Sequence, residues 1–591
     1  MFERPRHDGR WLLVVATALL LWFLGPFLLI GHRFPLGPDA PVYLWWARLA
    51  GVDGLSAVPR PGVAALALAL SRTLGAPIAV TFTAIEVVGG VAVGLAAGAL
   101  VRLALPRDRT AWPLAALLAG TFAVHIAAGY VANLVFAAAF LAAAAALATA
   151  ERRGVAAAAV LLGAAGLAHP LFAFLGAAIL LVAAAMAAEA DRDEALRVVW
   201  ATVGGAALLG GAWLTLLVGP GPHVVDSSRD AFLRRAGLRD LLRAAYLDRF
   251  LRRWPRYVPW LSAPLALAAL PKLPDDGFVG RFLRAWGVVV LGGIALALAT
   301  RWLPPDRFLA FAFVLPILAA IGALRIARAR RGPRILARAA AGGLVVAMLA
   351  GAGIAWARQI PYLTETEVAR LAVANAIAAT RPGTGLVFVV GSEPTAFSVT
   401  RIGSVVRAAV PPDRIRDVIL EIAGSSPGAE GEALDRIVEE DERVAIAAHD
   451  RRIQRILVVP FARRIARGAP WSFVSTGVYA EPAPGTTVVP RDPLVGTGAA
   501  ATTRTVFAAL VLLLVVGTGW ARLVIPNRVG ALAIALPCGM AALVLAYAAF
   551  DRAGLAADGR VGAIVASALA AGLGHLARIL DERRRAAEAT A

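Results

Sequence analysis

The chain has 591 residues, 59% of them hydrophobic and only 17% charged, with a mean hydropathy of +0.72. Soluble domains are about 25% charged, so an ordinary water-soluble enzyme is excluded. The single cysteine, Cys538, excludes a disulfide scaffold and a thiolate metal site. The net charge of +20 rests on Arg scattered over many loops and one Lys, Lys272, a distribution that argues against a nucleic-acid-binding face.

Apolar runs of about 17–25 residues, each able to cross a roughly 30 Å hydrocarbon core, recur along the chain. The first, Trp11 to Ile30, follows a basic N-terminus. It is longer than a usual signal-peptide core and lacks an A-x-A-like site, so it reads as a retained span. In chain order about 14 spans are expected, near residues 11–30, 77–101, 111–127, 131–149, 155–168, 171–188, 198–218, 257–271, 285–300, 307–324, 339–357, 504–524, 529–549 and 561–579. The fifth and sixth read as a pair broken around Ala168-His169-Pro170. With the N-terminus inside, the cytoplasmic segments, together with the span-end residues Arg522 and Arg578, hold 25 Arg and Lys, against nine in the short outside loops together with the span-end residues Arg307 and Arg504. That asymmetry is the positive-inside pattern, and it predicts a multi-pass plasma-membrane protein with both termini cytoplasmic.

Three segments fall outside the spans. Gly31 to Ala76 contains an amphipathic stretch, Val63 to Leu74, expected along the outer interface. Gly219 to Arg256 carries nine Arg against four Asp, with apolar residues near helical spacing from Arg229 to Trp254. Such a helix suits anionic lipid headgroups or anionic lipid carriers. Arg358 to Thr503 is a polar insert, with 16 Arg and 16 acidic residues between Arg358 and Ala500. It reads as a small α/β domain. Strands are expected at Gly385–Gly391, Val444–Ala448, Arg455–Pro460 and Phe473–Ala480, and helices at Thr364–Ala379, Ala396–Ala409 and Glu430–Glu442.

The expected fold class is therefore mainly α: a polytopic helical membrane protein with an extracytoplasmic α/β domain inserted before the last three spans. Residues 1–357 form the membrane core, 358–503 the inserted domain, and 504–591 a C-terminal membrane segment with a cytoplasmic tail.

The first outside loop carries the densest chemistry, reading His32-Arg-Phe-Pro-Leu-Gly-Pro-Asp39-Ala-Pro-Val-Tyr43-Leu-Trp-Trp-Ala-Arg48. Gly37 and Pro38 turn the chain directly after the first span, and Pro41 suits the first turn of a helix with Asp39 near its N-cap. Tyr43, Trp45 and Trp46 fit a headgroup belt. Capping and anchoring account for these residues; so does a catalytic carboxylate at the membrane boundary. Glu86 lies inside the second span, where it is expected to be protonated, paired or facing a cavity, and His125 is a candidate partner for it.

The order Asp39-x-x-x-Tyr43, Arg60-Pro61-Gly62-Val63 and a helix ending at Leu74-Gly75 resembles the GT-C superfamily. The likeness is to its protein-mannosyltransferase and aminoarabinose-transferase-like branch. Leu167-Ala-His169-Pro170 and Pro304-Pro-Asp-Arg307-Phe-Leu echo the same pattern, over roughly residues 10 to 330. The resemblance implies an integral-membrane glycosyltransferase that moves a sugar from a polyprenyl-phosphate donor to a glycan, lipid or protein acceptor hydroxyl outside the cell.

On that reading Asp39 is the catalytic base. Arg301 and Arg307 bind the donor phosphate, and Tyr43, His125, Asp226 and Asp230 are candidate substrate contacts. The branch commonly carries a second early acid where this chain has Gly129-Tyr130-Val131-Ala132-Asn133, which leaves a divalent metal open. The competing classes are a lipid flippase or solute transporter, and a non-catalytic membrane scaffold with an external recognition domain.

Overall fold

The computed structural model describes residues 5–30, 40–106, 108–123, 130–217, 262–273, 277–300, 308, 311–328, 334–357, 385–390, 418–422, 453–458, 472–475, 478–480, 498–525, 527–555 and 559–590. Helices dominate these residues. In chain order they begin with α1 (Pro5–Ile30), α2 (Ala40–Asp53), α3 (Pro61–Leu74), α4 (Ile78–Ala104), α5 (Ala111–Phe122), α6 (Val131–Leu147), α7 (Arg152–Ala168) and α8 (Pro170–Ala187). There follow α9 (Arg192–Leu217), α10 (Ser262–Ala269), α11 (Phe278–Thr300), α12 (Val314–Arg328), α13 (Arg334–Ala357), α14 (Ala499–Val524), α15 (Arg528–Arg552) and α16 (Arg560–Thr590).

Among the described residues nine helices (α1, α4, α8, α9, α11, α13, α14, α15 and α16) are long and apolar enough to cross a membrane. Several of these leave large apolar side chains uncovered, among them Leu29, Phe174, Trp200 and Ile335, as lipid-facing helices do. The chain is a mainly helical membrane protein.

Helix α4 runs through the middle, against α1, α3, α5, α6, α14 and α15, and every residue from Ala79 to Val101 is buried. Its sequence explains the fit. Gly90, Gly94 and Gly98 recur at one-turn spacing, and a Cβ on Gly94 would stand 2.5 Å from Leu19 of α1 and 2.9 Å from the Ala116 carbonyl of α5. Small residues at that spacing let backbones approach where lipid offers no hydrophobic drive between helices.

Successive helices from α4 to α9 alternate in direction, so their termini gather at two ends. At the end where α4 finishes, ion pairs join remote helices. Glu194 of α9 and Arg281 of α11 are both buried and pair in a bidentate fork, Nε to Oε1 and Nη2 to Oε2 at 2.8 Å each. Arg153 of α7 meets Asp581 of α16 at 2.8 Å, and Arg522 of α14 meets Glu582 of α16 at 3.2 Å.

Asp108 accepts from the backbone N–H of Thr110 and of Ala111, both at 3.1 Å, and so ties the start of α5. It also accepts from Arg328 at the end of α12. Burial pushes the Asp108 carboxyl upward, but the Arg328 guanidinium and Thr110 outweigh it and hold it below the usual carboxylate value.

At the end where α4 begins, charged side chains also hydrogen-bond neutral groups, with Asp551 in electrostatic reach of Arg552 and Arg72. Asp551 of α15 accepts from the Leu55 backbone N–H at 3.1 Å. Arg72 of α3 donates to the Tyr547 hydroxyl at 2.6 Å and to the Gly51 carbonyl at 3.2 Å.

The stretch Val63–Leu74 forms most of α3, whose residues Pro61 to Leu70 are buried, with α2, α4, α7, α15 and α16 packed around the helix. One expectation is corrected here. Tyr43, Trp45 and Trp46 are buried instead of forming an exposed belt, because α2 packs on α3 and α4.

Between α13 and α14 the described residues form a five-stranded sheet in the order β2-β1-β3-β5-β4. Its strands are β1 (Gly385–Val390), β2 (Val418–Ile422), β3 (Ile453–Val458), β4 (Ser472–Ser475) and β5 (Val478–Ala480). β1 pairs in parallel with β2 and β3, while β5 pairs antiparallel with β3 and β4. Parallel neighbours require crossovers, and the intervals 391–417 and 423–452 are long enough to supply them.

β1 and β3 fall where the apolar runs predict. The run Phe473–Ala480 holds parts of two antiparallel strands, not one strand, with Ser475 opposite Val478. β2 was not anticipated: its apolar run is only five residues long and includes Glu421. The strand expected at Val444–Ala448 and the three helices expected in this insert lie outside the described residues.

Candidate functional site

The site builds from the segment between α1 and α4. α2 begins at Ala40, with Pro41 in its first turn, as the sequence predicts, so Asp39 directly precedes the helix in the chain. Tyr43 and Trp46 stand three residues apart on one face of α2, their rings in edge contact at 5.5 Å. Gly54, at φ 84°, and the short 3-10 turn Leu55–Ala57 lead the chain to Arg60, which precedes Pro61 at the start of α3. A proline suits that first position because no helical N–H is needed there.

The reversal carries Arg60 back onto α2. Its guanidinium lies 5.4 Å from the Tyr43 ring centre and 5.7 Å from that of Trp46, and it donates a hydrogen bond to the Tyr43 hydroxyl. A half-buried guanidinium held by two ring faces is oriented as well as charged.

Gly62 fixes where this assembly sits. A Cβ there would fall 2.6 Å from the Ala168 backbone nitrogen and 2.7 Å from the Leu167 carbonyl carbon, so only glycine permits α3 to reach the end of α7. The contact falls on the hinge between α7 and α8. His169 occupies that hinge with extended backbone and caps α8, its Nδ1 accepting from the Phe172 N–H at 3.2 Å. An accepting Nδ1 puts the ring proton of a neutral imidazole on Nε2.

The His169 ring stacks on Phe172 at 3.9 Å. Phe172 meets Phe311 at 4.7 Å and Phe136 of α6 at 5.9 Å. Thus the starts of α3, α6 and α8 and the segment just before α12 converge. Two sequence segments, Arg60-Pro61-Gly62 and Leu167-Ala-His169-Pro170, belong to one neighbourhood.

Of the residues expected in the site, Tyr43 is described and lies in this assembly. Asp39, His125, Asp226, Asp230, Arg301 and Arg307 lie outside the described residues. Glu86 is fully enclosed in α4. Sequence reasoning did not assign Arg60 a role. The only signal was its place before Pro61, which forces the chain to turn there. Asn133 replaces an expected acid and proves to be buried, at 4% exposure, in the first turn of α6.

Among known proteins, no family model matches the chain and no curated protein is a significant match.

Proposed function

We propose that the chain is an integral-membrane glycosyltransferase of the GT-C type. It moves a sugar from a polyprenyl-phosphate donor to an acceptor hydroxyl on the extracytoplasmic face. The observation that carries this reading is the joining of Arg60 to Tyr43 and Trp46, four to seven residues beyond Asp39, with Gly62 seated on the His169 hinge. That assembly brings a guanidinium and two aromatic rings to one end of a helical bundle, and Asp39 directly precedes α2 in the sequence. A transfer reaction at a membrane boundary needs these groups.

In the proposed reaction Asp39 takes the acceptor proton. The leaving polyprenyl phosphate is already stable as an anion, so it needs cations and no protonation. Arg301 and Arg307 supply them through charge-assisted hydrogen bonds. Tyr43 and Arg60 hold the segment that bears Asp39, and His125, Asp226 and Asp230 contact substrate.

The proposal extends to the architecture: about 14 spans, cytoplasmic termini, and residues 358–503 as an extracytoplasmic α/β domain that recognises the acceptor or braces the core. The mixed sheet supports that class, since parallel strands are normally joined by helical crossovers.

The decisive experiment is Asp39→Asn in full-length protein. Lipid-linked sugar turnover should fall by about 10²–10⁴-fold, the usual contribution of a positioned base, while expression and membrane insertion stay normal. Full activity in this protein removes the assignment.

A further inference from the structure

Asn133 is a buried amide whose Oδ1 has no hydrogen-bond partner among the described residues. Leaving such an acceptor unpaired costs the desolvation of the group, and proteins rarely keep one without a reason. Core packing supplies none here. The rest of the first two turns of α6 is apolar, and leucine has the same branched outline as asparagine without the unpaired oxygen.

Helical spacing shows what Asn133 faces. It stands one turn before Phe136 on the same side of α6. Phe136 meets Phe172 of α8 at 5.9 Å and Phe311 at 5.5 Å. On α8, His169 stands one turn before Phe172 and covers its ring. Asn133 and His169 therefore sit above one aromatic layer, at the helix starts where Gly62 brings in α3 and Arg60.

We infer that the Asn133 side chain hydrogen-bonds a hydroxyl of the transferred sugar. The inference rests on the glycosyltransferase reading for the identity of that ligand. A sugar hydroxyl both donates and accepts, so it satisfies the amide in either orientation of its oxygen and nitrogen. A phosphate oxygen offers nothing to a carbonyl acceptor. Asn133 is thus a specificity residue for the sugar, separate from the groups that hold the phosphate.

The test uses full-length protein in detergent and compares wild type, Asn133→Leu and Asn133→Asp. Thermal unfolding is followed alone, with farnesyl phosphate, and with its mannosyl and arabinosyl esters. Without lipid, Asn133→Leu should unfold at the wild-type temperature or above it. It should lose the extra stabilisation that a glycosylated lipid gives over farnesyl phosphate, with the affinity for that lipid about tenfold weaker, as expected for one neutral hydrogen bond. Asn133→Asp keeps an acceptor in place and should retain the sugar-dependent shift.

Two results overturn the assignment of Asn133 alone: unfolding of lipid-free Asn133→Leu several degrees below wild type, or a wild-type sugar-dependent shift in that protein. Equal shifts of wild type with farnesyl phosphate and both esters also overturn it. A wild type that responds to none of the lipids overturns the glycosyltransferase reading, and this inference with it.

Discussion

The two ends of the helical bundle are held by different chemistry. Where α4 finishes, full charges meet full charges across helices distant in sequence: Glu194 with Arg281, Arg153 with Asp581, Arg522 with Glu582, Asp108 with Arg328. Where α4 begins, Arg60 rests on Tyr43 and Trp46, Arg72 bonds a hydroxyl and a carbonyl, and Asp551 bonds a backbone N–H. The first arrangement neutralises its own charges and fixes helix positions. The second holds the Arg60 guanidinium on two aromatic rings and a hydroxyl, none of which carries a countercharge. On this reading the first end is a latch and the second is a working surface, which mutations can separate.

The largest effect is expected at the latch. Glu194→Ala leaves the Arg281 guanidinium buried without its bidentate partner, which costs about 3–5 kcal/mol. The thermal unfolding temperature in detergent should fall sharply, while sugar turnover per folded molecule stays near wild type. Replacing Glu194 and Arg281 together by Leu and Met should restore most of the loss, because the double change removes both charges. A sharp loss of turnover per folded molecule would erase the distinction between the ends.

Arg60→Ala should show the reverse balance. It removes a charge-assisted hydrogen bond and two ring contacts, together about 1.5–3 kcal/mol. Turnover should drop about ten- to a hundredfold with only a modest fall in unfolding temperature. Arg60→Lys keeps the charge but loses the planar fork, so it should recover part of the activity. Wild-type turnover in both proteins would remove Arg60 from the working surface.

The smallest effect concerns Asp108. Its folded carboxyl titrates below the unfolded value of about 3.9. The resulting stabilisation is present above that pH and is lost as pH falls through the folded value. Half of the Arg328 side chain is exposed, so solvent screening limits the pair to under about 1 kcal/mol. The unfolding temperature of wild type should exceed that of Asp108→Asn at neutral pH, and the gap should close below about pH 4. A gap independent of pH would show that Asp108 acts only as a neutral cap.

The comparison also shows how far sequence reasoning reaches. Helix positions followed from the length of apolar runs, and the His169-Pro170 break followed from one proline, since both are local properties of the chain. Burial of Tyr43, Trp45 and Trp46 did not follow. An aromatic cluster beside a span looks the same whether it meets headgroups or another helix. Arg60 was legible as part of a motif but not as the partner of Tyr43, because the intervening turn depends on Gly54 and the short 3-10 helix. The antiparallel pairing of β4 and β5 was hidden inside one apolar run for a similar reason.

By itself, the sequence determined that this is a membrane protein of many helices with a polar insert, one cysteine and no second early carboxylate at position 133. Composition and run length settle those points without reference to distant residues. Only the tertiary structure decided which helices enclose α4, which end carries the charge-to-charge latch, and that the Asn133 Oδ1 is buried without a hydrogen-bond partner among the described residues. The physical reason is that apolar attraction has no direction. Many pairings of the same helices bury similar area, and the choice among them rests on close backbone approach at Gly62 and Gly94 and on ion pairs such as Arg153 with Asp581, whose members lie 428 residues apart.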